Sequence, residues 1–310
     1  MKPDILAVEK LPPFLEDSLR ATFAFHYPVT DAAAVASIAG KVRGLVALGT
    51  STVSADFIAQ LPALEIISVF GVGYDGIDVQ AAHKRGIVVT NTPDVLTDDV
   101  ADLCLGLILS VAREIPAAER FLRSGQWKNG AFRLARKVSG SRLGIIGLGR
   151  IGSAVVRRAE GFGMSISYTD LKEKTGVSYR FHPTLLELAA NSDFLVVSAF
   201  GGPTTRNLVN AEVLKALGPN GYLINISRGS LVDEPALVEA LKSRTIRGAA
   251  IDVFANEPNV PADLLTMENV VLTPHMASGT VQTRQAMADL TFANLEAYFG
   301  GRPVLTPVSR

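Results

Sequence analysis

The segment Arg142-Leu-Gly-Ile-Ile-Gly-Leu-Gly-Arg-Ile-Gly152 sets the architecture of this chain. Leu143, Ile145 and Ile146 form an apolar lead into Gly147-x-Gly149-x-x-Gly152, and Ser153 to Ala159 continues with helical character. Strand, tight turn and helix start thus follow one another as a dinucleotide-binding turn requires. The first glycine permits the turn, the second lets backbone approach a pyrophosphate, and the third lets helix pack on strand. The N-terminus of that helix offers N–H groups and a positive dipole end to phosphate. A second apolar stretch, Met164 to Thr169, ends in Asp170, 18 positions after Gly152. A carboxylate at that distance can accept from the adenine ribose hydroxyls. The competing interpretation is a glycine-tolerant strand-to-helix turn in which Asp170 only caps the next segment. Lys172 and Lys174 read as a solvated face, with contact to a cofactor phosphate as the alternative.

Beyond the turn, strands at 194–198, 222–226, 248–253 and 270–272 alternate with helices at 183–190, 210–217 and 234–242, which builds one doubly wound sheet. Before it, strands at 5–8, 22–25, 44–48, 66–69 and 86–90 alternate with helical patterns that include 54–61 and 78–84. That is a second parallel sheet, separate from the cofactor half. Val100 to about Arg113 is helical after Asp98-Asp99, Pro116 interrupts it, and Ala117 to Leu122 resumes. The loop Ser124–Gly130 carries Trp127, the single tryptophan, which either meets a partner or folds back on its own domain. A last helix spans about 280–299 and stops at Gly300-Gly301 before Pro303.

Composition narrows the function. The 310 residues allow two cores, and 48% hydrophobic with 19% charged residues describes an ordinary globular chain. Thirty basic and thirty acidic residues leave no bulk field for nucleic acid or an anionic membrane. One cysteine, Cys104 among leucines, excludes a disulfide framework and a cysteine-clustered metal site, and no metal is expected. No apolar run approaches a membrane span and the first residues carry no signal-peptide pattern, so a cytoplasmic location is expected.

Ligands of doubly wound sheets bind beyond the carboxyl ends of the strands. The segments there are unusually polar: Asn225-Ile-Ser-Arg228-Gly229, Asp252 to Pro258 with Glu257, and Thr273-Pro-His275-Met-Ala-Ser278. Arginine grips a carboxylate with two parallel charge-assisted hydrogen bonds. Histidine moves protons near neutral pH, and an adjacent carboxylate orients its ring and stabilises the imidazolium. Beside a nicotinamide, Arg228, Glu257 and His275 read as a set for hydride transfer to a 2-keto acid, with His275 giving the proton. His26, His83 and His182 lack such company and read as structural.

The chain resembles the D-isomer-specific 2-hydroxyacid dehydrogenases, and among them glyoxylate/hydroxypyruvate reductases. The motifs are Gly71-Val-Gly-Tyr-Asp75, Asn91-Thr-Pro-Asp-Val-Leu-Thr97, the glycine turn, Asn225–Gly229, Asp252-Val-Phe-x-x-Glu-Pro258 and Pro274-His275. The resemblance implies two doubly wound parallel-sheet α/β domains, a Rossmann cofactor domain inserted in a flavodoxin-like substrate domain. The substrate domain is expected at 1–98 plus 282–310, and the dinucleotide domain, with a dimerisation arm, at 99–281. It further implies that Arg228 binds and polarises the keto acid, with Glu257 the partner of the acid/base His275. The Val72 and Gly73 backbone clasps the substrate carboxylate, Ser278 lines the pocket, and Thr97, Arg150, Ile151 and Asp252 line the cofactor. A homodimer is implied, with Trp127 reaching the partner subunit.

Two departures from the family pattern stand out. Asp170-Leu171 occupies the place of Ser-Arg in NADPH-preferring reductases, so NAD(H) is favoured and NADP(H) is the alternative. Ala199-Phe-Gly-Gly-Pro203 replaces a His/Leu-containing segment on the nicotinamide side. Formate dehydrogenase is the runner-up within the fold, but it carries Gln where Glu257 stands. A nucleotide-sensing interaction protein on the same fold is the rival from another class.

Overall fold

The computed structural model describes residues 2–27 and 32–309. The chain divides into two compact units, Met1–Leu96 with Thr280–Arg310, and Thr97–Gly279. The breaks fall after Leu96 and Gly279, against expected breaks after 98 and 281.

The first unit is a parallel sheet in the order β2-β1-β3-β4-β5, built from Asp4–Ala7 (β1), Ala24–His26 (β2), Val42–Leu48 (β3), Ile66–Phe70 (β4) and Val88–Thr90 (β5). This is the flavodoxin-like doubly wound order. All five β4 residues are buried, as a central parallel strand with both faces covered must be. The helices are Pro13–Thr22 (α1), Ala32–Ile38 (α2), Ala55–Ala59 (α3), Val79–Lys84 (α4) and, returning from the C-terminus, Val281–Phe299 (α12). Sequence patterning leaves α1 and α2 unmarked. The expected strand start at Thr22 belongs instead to α1, whose Leu15 and Leu19 are one helical turn apart and buried.

Within α12, buried Asn294 fixes the segment that follows the helix. Its Oδ1 accepts from the amides of Leu305 (2.9 Å) and Thr306 (3.1 Å), and its Nδ2 donates to Thr306 Oγ1 (2.8 Å). Thr306 in turn donates to Asn91 O, and Asn91 Nδ2 donates to Val72 O, both short bonds of 2.7–2.8 Å. The loop after β4 is thereby tied to the far end of the chain through satisfied polar groups.

The second unit contains seven parallel strands in the order β12-β11-β10-β9-β6-β7-β8. They are Arg142–Ile146 (β6), Ser165–Thr169 (β7), Arg180–Phe181 (β8), Phe194–Val197 (β9), Tyr222–Asn225 (β10), Gly248–Ile251 (β11) and Val270–Leu272 (β12). Counted from β6, this is the Rossmann order 3-2-1-4-5-6 with one added strand, and the direction of winding reverses between β6 and β9. Thr97–Ala112 (α5) and Arg150–Glu160 (α7) pack on one another. The other helices of this unit are Ile115–Arg123 (α6), Leu185–Ala190 (α8), Ala211–Leu217 (α9), Glu234–Lys242 (α10) and Ala262–Thr266 (α11). Left-handed Glu114 separates α5 from α6, and Pro116 sits in the first turn of α6, where its missing N–H costs no helical bond. The two-residue β8 and the five-residue α11 are too short to show a period. Cys104 is fully buried, and burial pushes its thiol far above the ordinary value.

The three fingerprint glycines meet different constraints. Gly147 has φ +89°, and a Cβ there would lie 2.7 Å from Ala199 Cα. At Gly152 a Cβ would lie 2.3 Å from Gly147 O, a backbone atom that cannot yield. At Gly149 a Cβ would meet nothing within 4 Å, which leaves this position open toward a ligand. Gly152→Ala is therefore expected to lose about 1–3 kcal/mol or more in urea unfolding, whereas Gly149→Ala should unfold close to the parent. Equal midpoints for the two variants would contradict this division.

Candidate active site

The carboxyl ends of β9 to β12 in the second unit carry a rim of polar turns. β10 ends in buried Asn225, which governs the turn after it. Its Oδ1 accepts from Ser227 N (3.1 Å) and its Nδ2 donates to Arg228 O (2.9 Å). Arg228 is thus presented by a turn with both sides fixed, and its Nη1 donates to Ser227 O at 3.0 Å. Gly229 is required by its neighbour. A Cβ there would sit 1.9 Å from the Phe254 carbonyl carbon, so the Arg228 turn lies directly against the loop after β11.

That loop begins at Asp252, whose relative exposure is 0%. Its backbone N–H donates to Asn225 O at 3.0 Å. Its Oδ1 accepts from Thr273 Oγ1 (2.6 Å) and Met276 N (2.9 Å), and its Oδ2 from Ala277 N (3.0 Å). Burial raises its carboxyl above the ordinary value, against the lowering effect of those donors. One carboxylate thus staples both sides of His275. The His275 N–H donates to Asp252 O at 2.8 Å, and its backbone is left-handed at φ +49°. A non-glycine residue held there stores of order 1–3 kcal/mol of strain, of a kind that collects at functional sites.

His275 Nδ1 lies 2.7 Å from Glu257 Oε2, while Glu257 Oε1 accepts from Phe254 N at 2.9 Å. Burial works against ionising Glu257. The His275 ring and the Phe254 amide outweigh it, the Arg228 charge adds to them, and the carboxyl is held below its ordinary value. An ionised Glu257 fixes Nδ1 as the donor and leaves Nε2 as the ring nitrogen available for proton transfer.

The glycine turn joins the same rim. Ser198, just past β9, donates to Gly147 O (2.8 Å) and Ile146 O (3.1 Å), and Ser227 Oγ donates to Ala199 O. Asp170, at the end of β7, accepts from Leu148 N at 3.1 Å, so the carboxylate and the glycine turn are in direct contact. Gly149 caps α7 with no side-chain hydrogen bond, leaving the first amides of an 11-residue helix for an anion. The open Gly149 position and these amides fit a dinucleotide pyrophosphate.

The remaining expected residues are more dispersed. Thr97 is the first residue of α5, Arg150 and Ile151 open α7, and Ser278 follows the His275 loop. Val72 and Gly73 belong to the first unit. His26 does have a carboxylate partner, contrary to expectation: its Nε2 lies 2.7 Å from Asp4 Oδ1, because β1 and β2 pair in parallel and bring distant residues side by side. His182 is buried, and burial lowers its pKa. In the sequence Asn225 and Thr273 are only polar residues at strand ends; the Asn225 side chain closes its own turn, whereas the partner of Thr273, Asp252, lies in another segment.

A sequence model of the D-isomer specific 2-hydroxyacid dehydrogenase NAD binding domain matches residues 105–277. The hydroxyphenylpyruvate reductase of Plectranthus scutellarioides is 52% identical over 270 residues, covering 87% of this chain and 86% of that protein. Glyoxylate/hydroxypyruvate reductase A of Arabidopsis thaliana is 51% identical over 268 residues, covering 86% of each. Among solved structures, the NADPH-dependent glyoxylate/hydroxypyruvate reductase of Sinorhizobium meliloti, in complex with NADP and malonate, superposes with a TM-score of 0.95 at 47% identity. That match covers 100% of this chain and 97% of the other. Among the described residues no helix is long and apolar enough to cross a membrane. The chain belongs to the D-isomer-specific 2-hydroxyacid dehydrogenases, enzymes that work with a nicotinamide dinucleotide.

Proposed function

We propose that this enzyme reduces a small 2-keto acid, of the glyoxylate or hydroxypyruvate kind, to the D-2-hydroxy acid. The observation that carries the proposal is the 2.7 Å His275–Glu257 contact on the rim that also presents Arg228. The names of the plant and Sinorhizobium relatives support the substrate class.

The nicotinamide, when bound, supplies the hydride. His275 Nε2 donates a proton to the carbonyl oxygen as negative charge develops on it. Glu257 accepts from Nδ1, keeps the ring in orientation and offsets the imidazolium charge. Arg228 holds the keto acid through its guanidinium fork and polarises the carbonyl. The amides of Val72 and Gly73 take the carboxylate, and Ser278 lines the pocket. Asp252 acts here by holding the His275 loop in place along the cofactor wall. The glycine turn, Arg150 and Ile151 hold the pyrophosphate, and Thr97 lies beside them. Asp170 takes the adenine ribose and favours NADH, because its charge opposes a 2′-phosphate.

In this reading the second unit is the cofactor domain, and the first is the substrate domain. The segment from α6 to about 137 serves as the arm of a homodimer. α6 has no buried residue, and Ile115, Leu122, Trp127 (67% exposed) and Leu134 present apolar surface along this stretch. Trp127 is assigned to the partner's active site, and the enzyme to the cytoplasm.

A steady-state screen of glyoxylate, hydroxypyruvate, pyruvate and phenylpyruvate against NADH and NADPH tests the proposal. Turnover of at least one is expected; bound dinucleotide without turnover of any would favour a sensing role. His275→Ala should lower kcat by about a hundredfold or more, and near-normal turnover would remove His275 from proton transfer. Arg228→Lys should reduce kcat/KM strongly, since the bidentate grip is lost; unchanged kinetics would argue against a direct contact. A pH effect follows from Glu257. Its lowered pKa contributes stability that is present above the ordinary value of 4.5 and is lost as pH falls through the folded-state value. Urea midpoints of Glu257→Gln should therefore fall less steeply below about pH 4.5 than those of the parent. Parallel curves would contradict this.

A further inference from the structure

The loop after β7 contains a device that the fingerprint does not describe. Asp170 and Lys174 stand at its two ends, and each end is separately fixed. Asp170 Oδ2 accepts from Leu148 N (3.1 Å) and Oδ1 from Leu171 N (2.8 Å). At the other end the Lys174 backbone N–H donates to the hydroxyl of Tyr168 at 2.8 Å. Tyr168 is almost completely buried, and its ring packs on Phe181 at 5.4 Å between centroids. The loop is thus pulled back onto its own strand by a hydroxyl that rises from the core. The result is that Lys174 Nζ lies 3.2 Å from Asp170 Oδ2, with the lysine side chain 38% exposed and the carboxylate 16%. An exposed ion pair of this kind contributes little to stability. The Tyr168 hydroxyl holds the backbone of Lys174 and not its ammonium, so what the anchor fixes is the place from which that ammonium reaches Asp170.

We propose that Lys174 is a specificity residue for the adenine-ribose end of the cofactor, which admits a 2′-phosphate beside Asp170. The inference rests on the assignment of Asp170 to that ribose. An unopposed carboxylate repels a phosphate that carries about −1.5 to −2 charges. An ammonium held against that carboxylate weakens the repulsion without removing it. It can also rotate about its flexible stem to donate to the phosphate, while the backbone beneath it stays pinned. Asp170 alone would make the site strict for a free 2′-hydroxyl, and the Asp170–Lys174 pair relaxes that preference for NADH enough to admit NADPH as well. The NADPH dependence of the Sinorhizobium reductase, at 47% identity, accords with a site in this family that accommodates a 2′-phosphate.

The test uses binding rather than turnover. Adenosine 2′,5′-bisphosphate and 5′-AMP differ only at the 2′ position, and calorimetric titration of both against the full-length protein gives an affinity ratio. Lys174→Met should lower that ratio by about tenfold, the size of one solvent-exposed charge-assisted contact. Lys174→Arg should keep it within about threefold of the parent, since the charge remains. Asp170→Ser should raise it. A ratio unmoved by Lys174→Met but raised by Asp170→Ser would overturn the role of Lys174 and leave the ribose assignment standing. A ratio unmoved by either substitution would overturn the ribose assignment, and the inference with it. Kinetic preference for NADPH over NADH should follow the same order among the variants.

Discussion

The buried carboxylate of Asp252 is the constraint on which the rest of the site depends. It follows a fully buried strand, and its backbone is bound to the neighbouring strand end at Asn225. Its oxygens accept from Thr273, Met276 and Ala277, the residues that bracket His275. Placing a carboxyl in such a setting disfavours its charge, and the site accepts that cost. What is gained is position, because three donors converging on one group fix a loop that would otherwise relax. The left-handed backbone of His275 is held against its own preference by this arrangement.

From that point the rim is continuous within the second unit. Asn225 orders the Arg228 turn, Gly229 brings that turn against Phe254, and the Phe254 amide orients Glu257. Glu257 then orients His275. Ser198 and Ser227 tie the same rim to the glycine turn through β9. A guanidinium, an imidazole and a glycine turn are therefore not independent features grafted on one edge. They share backbone and hydrogen bonds, so that each is held in part by its neighbour. Preorganisation of this kind is what general acid catalysis needs from a protein, since the donors are in place before charge develops.

The elements legible in the sequence are those where backbone geometry permits one residue type or where a buried strand ends in polarity. Gly147 and Gly152 belong to the first kind, because a side chain at either would strike backbone. Arg228, Asp252 and His275 belong to the second, each following a wholly or partly buried apolar run. What stayed hidden depends on partners distant in sequence. Nothing local pairs Asp4 with His26, or Tyr168 with the Lys174 amide, or Asn91 with Val72; the parallel register and loop closure do so. The strand β8 carries no sequence signal for a different reason, since two residues show no period. Pro116 was legible as an interruption, while the left-handed Glu114 that makes the joint was not.

The most direct test of the central claim is a crystal structure of the protein with NADH and oxamate, an unreactive mimic of glyoxylate. The pyrophosphate is expected on the Gly147–Gly152 turn and the oxamate carbonyl oxygen within hydrogen-bond reach of both Arg228 and His275 Nε2, with the His275–Glu257 contact retained. A dinucleotide seated away from that turn, or an oxamate that touches neither side chain, would contradict it.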